Sequence, residues 1–206
     1  MPNQMLQMDL PLARRPKSRR GGWRKKAGRK PTGVEPGIPH ARRQPIERML
    51  PVHVTVRMAP HVYNLRSRRS FSIIGRAISI AADRFGVRIL EFSVQGNHMH
   101  LVVEAGAHEA LSRAMQGFSI RVAKGLNAMM KRRGRVLADR YFAHVLESSM
   151  EARKVVHYVR NNFRKHMAEI GKPISHTYVD PFASPNAPIE LPPPRTLLLT
   201  RTTAPP

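Results

Sequence analysis

Between residues 50 and 170, apolar and polar positions follow two periods. HVTVRM (53–58) alternates one for one, as a half-buried strand does. Residues 69–85 place Phe71, Ile74, Ile78, Ala81 and Phe85 at helical spacing, with Gly86 as a natural stop. VRILEFSV (87–94) and HMHLVVE (98–104) read as two strands about the tight Gln95-Gly96-Asn97 link, the chemistry of a hairpin. Leu111, Met115, Phe118, Val122, Leu126 and Met129 then form the apolar stripe of a long helix. Lys131, Arg132 and Arg133 collect at its negative end before Gly134. Another strand is predicted within RVLADRYFAHVLE (135–147). Ser148 and Glu151 make a capping box, from which Val155, Val159, Phe163 and Met167 carry a third helix to Gly171 and Pro173. The order β-α-β-β-α-β-α predicts an α+β fold. Its first six elements match the ferredoxin-like split βαβ plan, an antiparallel sheet with two helices on one face, here with an added C-terminal helix. That plan serves unrelated functions, so function has to be read from a site.

The flanks carry no such period. Residues 1–48 are rich in Arg, Lys, Pro and Gly and are expected to form a disordered basic arm. Within it, GWRKKAGRKPTG (22–33) resembles the short basic arms that lie in A·T-rich minor grooves, and equally suits a solvated linker that adds phosphate contacts. Residues 49–172 are the expected folded domain, and 173–206 a Pro-rich tail, expected to be mobile. No internal repeat is visible. Composition sharpens the picture: 36 Lys and Arg face 13 Asp and Glu, a formal charge of +23. Such a balance favours a polyanionic partner, nucleic acid first. A membrane partner would need an apolar run of about 20 residues or a terminal basic amphipathic helix, and the sequence offers neither there. Asp9 and nearby prolines interrupt what a signal peptide keeps apolar, so a cytoplasmic, nucleoid-associated protein is expected. With 0 Cys there is neither disulfide nor thiolate metal site.

Candidate chemistry begins at QGNHMHLVV (95–103). Strand alternation sends His98 and His100 to one face and Met99 to the other, so the two imidazoles can share a ligand. In a chain with 10 His the same pattern also suits two hydrogen-bonded or surface histidines. A metal would need a third protein ligand. His108 and His144 are conceivable, but no local spacing ties them to the pair. In HYVRNNFRKH, Tyr158 and Asn162 are one helical turn apart and share a face, while His157 belongs to another. An amide oxygen suits Mg²⁺ or Mn²⁺, and a phenol one turn away can attack what the metal polarises; alone, Tyr158 reads equally as a core tyrosine.

Taken together, NHMHLVVEA followed two elements later by DRYFAHVLESSMEARKVVHYVRNNFRKH resembles the single-tyrosine HUH transposases, most closely their REP-associated tyrosine transposase branch. The resemblance covers roughly residues 50–170. It implies His98, His100 and Asn162 as ligands of Mg²⁺ or Mn²⁺ and Tyr158 as the nucleophile. It further implies nicking and rejoining of single-stranded, hairpin-bearing DNA through a 5′-phosphotyrosine, by a monomer or a homodimer. The branch commonly has Asn-Pro where this chain has Asn162-Phe163. Two other readings stand beside it: a non-catalytic, domesticated nucleic-acid-binding protein, and a replication initiator or relaxase. Gln95, Asn97 and Arg140 are expected near the site without an assigned role.

Overall fold

The computed structural model describes residues 45–203. The basic arm, apart from its last four residues, lies outside them; of those four, Ile46 is buried in the core. Five strands form one sheet in the order β2-β3-β4-β1-β5: β1 is Leu50–Arg57, β2 Asp83–Arg84, β3 Val87–Val94, β4 His98–Ala105 and β5 Phe142–Val145. Every neighbouring pair is antiparallel. β1 and β3 therefore run parallel with β4 inserted between them, which is the split βαβ arrangement.

Strand alternation gives the sheet two apolar faces. Val52, Val54 and Val56 of β1 join Met99, Leu101 and Val103 of β4 on the first face. Two helices cover it, α1 (Arg68–Ala81) through Ile74 and Ile78, and α2 (His108–Met129) through Leu111, Met115, Phe118, Val122 and Leu126. On the second face Leu90, Val102 and Leu146 meet Ala152, Val156 and Val159 of α3 (Ser149–Glu169) and Leu199 of α4 (Leu197–Thr203). A register shift between Ile89 and Glu91 turns Leu90 toward this second core. With helices on both faces, β3 is buried along its whole length. No helix among the described residues is long and apolar enough to cross a membrane.

Two expectations are corrected and a third is narrowed. The first helix stops at Ala81, and Phe85, which fits its spacing, is half exposed. Phe85 and Gly86 take left-handed φ values of 57° and 72° and form the two-residue loop of the β2–β3 hairpin, whose twist such loops match. The strand predicted within 135–147 is only four residues long; Leu137 makes an isolated bridge to Met58 before the chain turns out and returns as β5. The C-terminal stretch expected to be mobile is a strap. Phe182 O accepts from Val94 N and Ser184 N donates to Phe92 O, so it pairs with the edge of β3 beyond β2. Ser184 Oγ bonds Glu91, and Thr196 donates both N–H and hydroxyl to the fully buried Glu104. These buried carboxylates hold the strap where prolines alone would not.

Candidate active site

On the face covered by α3, β4 and β1 present His98, His100, His53 and Thr55. Thr55 lies opposite His100 in the register and Arg57 opposite His98, while Met99 enters the other core. His53 Nε2 and Thr55 Oγ1 each lie 3.1 Å from His100 Nδ1. The His53 and His100 rings stack with centroids 5.2 Å apart, and the His98 ring stands edge-on to His100 at 5.0 Å. His98 Nδ1 is bonded to Asn97 Oδ1 at 2.8 Å. Each ring thus has one nitrogen engaged. The other nitrogen of His100, Nε2, is buried with no partner.

The environment keeps these imidazoles neutral. Burial first, then the other histidines His53, His98 and His166, and Arg57, push His100 down to about 3. Burial, with His166 and Arg57, lowers His98 to about 4; burial and His144 do the same to His53. At neutral pH the rings therefore hold lone pairs rather than charge, the form a metal ligand needs.

The opposite wall is α3. Ser148 Oγ accepts from Glu151 N at its start, and the Glu151 carboxylate takes Glu147 N and His144 Nε2. Those bonds hold the Glu151 carboxyl below its usual range. Val156 and Val159 seat the helix on the sheet, and Arg160 pairs with Glu91 of β3. Tyr158, Asn162 and His166 follow at single-turn intervals along the face toward the histidines. The Tyr158 ring is 5.3 Å from His100 and 6.1 Å from His53, both edge-on, and the His166 ring is 5.6 Å from His98. Asn162, between those two contacts, is 0% exposed, and neither Oδ1 nor Nδ2 has a hydrogen-bond partner.

The fold thus brings His98, His100 and Tyr158 together from elements some sixty residues apart, with Asn162 on α3 between the Tyr158 and His166 contacts. Among the described residues no group of three or more His, Cys, Asp or Glu is arranged for a metal. The donors here are two imidazoles and an amide, and the orphaned His100 Nε2 and Asn162 amide are atoms a divalent ion would satisfy. The residues present therefore fit such a group. Three members escaped the sequence reading. His53 and Thr55 share the alternation that places His98 and His100, and His166 extends the Tyr158–Asn162 spacing by one turn. Both signals lie in the sequence. Of the other candidates, His144 is taken up by Glu151, His108 begins α2, and His157 is exposed on another side of α3. Gln95 is buried and donates to Ser93 Oγ, Asn97 holds His98, and Arg140 Nε is buried with no hydrogen-bond partner.

Comparison with known proteins gives a match to the family described as "Transposase IS200 like", over residues 52–162. That span contains His98, His100, Tyr158 and Asn162. Among solved structures, a REP-associated tyrosine transposase bound to a REP hairpin is 18% identical, with a TM-score of 0.51, over 63% of this chain and 74% of the other. A crystal structure from Deinococcus radiodurans R1, provisionally assigned as a transposase, is 12% identical with a TM-score of 0.41, over 62% of this chain and 97% of its own. No curated protein matches.

Proposed function

The chain belongs to the IS200-like transposase family, and from that membership we propose that it nicks and rejoins single-stranded DNA at hairpin-bearing ends through a covalent tyrosine intermediate. The observation that carries the reading is the placement of Tyr158 against His100, with Asn162, buried and unpartnered, one turn further on. His98, His100 and Asn162 would hold Mg²⁺ or Mn²⁺, which when bound supplies positive charge to a scissile phosphate. A hydrogen on His100 Nδ1, shared with His53 or Thr55, leaves the Nε2 lone pair free for that role.

Tyr158 Oη attacks phosphorus as its proton passes to solvent, from which the leaving 3′ oxygen takes one up. The P–O3′ bond breaks, the 3′ oxygen leaves as a hydroxyl, and a 5′-phosphotyrosine remains. One phosphodiester replaces another, so the reverse attack by a 3′-hydroxyl reseals a strand without a nucleotide cofactor. α3 sets the approach, since its seat on Val156 and Val159 and the Arg160–Glu91 pair limit how far Tyr158 can move from His100.

The test is incubation of the full chain with Mg²⁺ or Mn²⁺ and a single-stranded hairpin oligonucleotide from the flanks of its gene. A covalent protein–DNA adduct is expected, lost in Tyr158→Phe and in His98→Ala with His100→Ala. An adduct that persists in Tyr158→Phe removes the nucleophile assignment. Hairpin binding without any adduct supports the non-catalytic reading instead.

A further inference from the structure

We propose that the cavity between α3 and the C-terminal strap receives an unstacked nucleobase of the DNA strand that crosses the site; this rests on the transposase reading above. The cavity has a volume of about 250 Å³. Phe163 of α3 and Tyr178 of the strap, with ring centroids 5.8 Å apart, give it an aromatic wall. That wall has a fixed support. The Arg66 guanidinium lies 3.4 Å from the Phe163 centroid and 4.5 Å from that of Phe182, and is itself held by both Asp180 oxygens at 3.1 and 2.8 Å. Arg66 is nearly buried, so the wall rests on a stacked, neutralised cation rather than on a gap into which it would collapse.

The remaining lining supplies polar edges: the amides of Asn161 and Asn186, and Nη1 of Arg160, the end of that guanidinium not bonded to Glu91. Asn161 Nδ2 donates to His157 O, which leaves its oxygen as an acceptor. Arg164 is spent on the strap, donating to the carbonyl of His176. Aromatic surface beside amides and cations is the chemistry that recognises a base face and its hydrogen-bonding edge. A phosphate alone would leave Tyr178, 38% exposed, and Val179, 62% exposed, without use.

Position selects a strand rather than a free nucleotide. Asn161 and Phe163 flank Asn162 in the sequence, so the cavity and the histidine cluster occupy adjacent sides of one helical turn. A helix with its side chains is about 10–12 Å across. On the proposed path, a strand whose phosphate reaches Tyr158 crosses that turn and lays a neighbouring base against Tyr178.

The experiment uses full-length Tyr158→Phe, so that binding is read without cleavage, with Mn²⁺ and a 5′-labelled hairpin oligonucleotide bearing single-stranded flanks. An abasic analogue is moved stepwise through those flanks. One position is expected to weaken binding about 5- to 150-fold, the range of a lost base–aromatic stack. Adding Tyr178→Ala should produce a similar loss on the intact strand and no further loss on the strand abasic at that position. Adding Tyr178→Phe should retain binding. Should Tyr178→Ala loosen the strap and lower the melting temperature, Tyr178→Leu keeps apolar bulk without an aromatic face and should show the same abasic-specific pattern. An equal penalty on every abasic strand, or none on any, overturns the proposal. Failure of the transposase reading is seen separately, as the absence of adduct from the unsubstituted chain on the intact strand.

Discussion

A buried amide with neither end bonded costs about 1–3 kcal/mol in lost hydration. Asn162 is such a residue, completely buried with both side-chain polar atoms orphaned beside the apolar Val159. Asn162→Leu is therefore expected to stabilise the metal-free protein by about 1–2 kcal/mol while abolishing adduct formation, since it removes the cost and the donor together. Urea unfolding in the presence of chelator measures the first effect; a lower midpoint than the parent would show that the amide is satisfied. The histidines make a second prediction at this scale. His53, His98 and His100 lie near 4, 4 and 3 in the folded chain, against an ordinary value of 6.5. The unfolded chain therefore takes up protons first as pH falls, and the stability present above pH 6.5 is lost as pH drops through 6.5 toward 3. Urea midpoints of the metal-free protein should fall over that window, with a shallower slope in His53→Gln. A midpoint that rises on acidification contradicts the burial of these rings. The His98–His100 pair, Tyr158 and Asn162 were legible because strand and helix periods each assign a face. That Asn162 is orphaned was not, because whether a buried amide finds a partner depends on what packs across from it.

Helix contacts decide the sign of a change at Gly125. On an open helix face, Gly→Ala stabilises by about 1 kcal/mol. Here an added Cβ would fall 2.4 Å from Cγ2 of Ile73, where α2 crosses α1. A β-branched side chain in a helix has little freedom to rotate away, so overpacking of about 1–3 kcal/mol prevails. Gly125→Ala should lower the melting temperature, and in an Ile73→Ala background the same change should become neutral or stabilising. Destabilisation of equal size in both backgrounds would locate the cause elsewhere. At this scale β1, β3, β4, α2 and α3 follow directly from periods of 2 and 3.6. The end of α1 did not, because Phe85 matches the helical period while its backbone serves a hairpin loop. The strap was hidden for a different reason. Its anchors, Asp180, Ser184 and Thr196, are polar residues without period, and their partners Arg66, Glu91 and Glu104 lie some ninety residues or more away.

The charge of the whole chain sets how it meets a polyanion. Of its 36 Lys and Arg, 12 lie in the first 44 residues beside only two acids, so about ten of the +23 net charges reside in that arm. Counterion release makes each phosphate contact weaken with salt, with a slope of about −0.7 per contact on single strands and about −0.9 on duplex in a plot of log affinity against log salt concentration. Replacing Arg24, Lys25, Lys26, Arg29 and Lys30 together by Gln removes five of those charges and changes no residue from 45 onward. If these five contact phosphates, that variant should bind a hairpin more weakly at low salt and show a slope shallower by up to about 4. Adduct formation at saturating protein should be unchanged, because Tyr158, His98, His100 and Asn162 all lie in the domain. A slope equal to the parent's would assign the salt-dependent contacts to the domain instead, whose sequence from residue 45 onward retains 24 Lys and Arg against 11 acids. The same titration separates two uses of the GRKP motif. Seating in an A·T-rich minor groove would make the loss larger on hairpins with A·T-rich stems, whereas plain phosphate contact would make it equal on all stems.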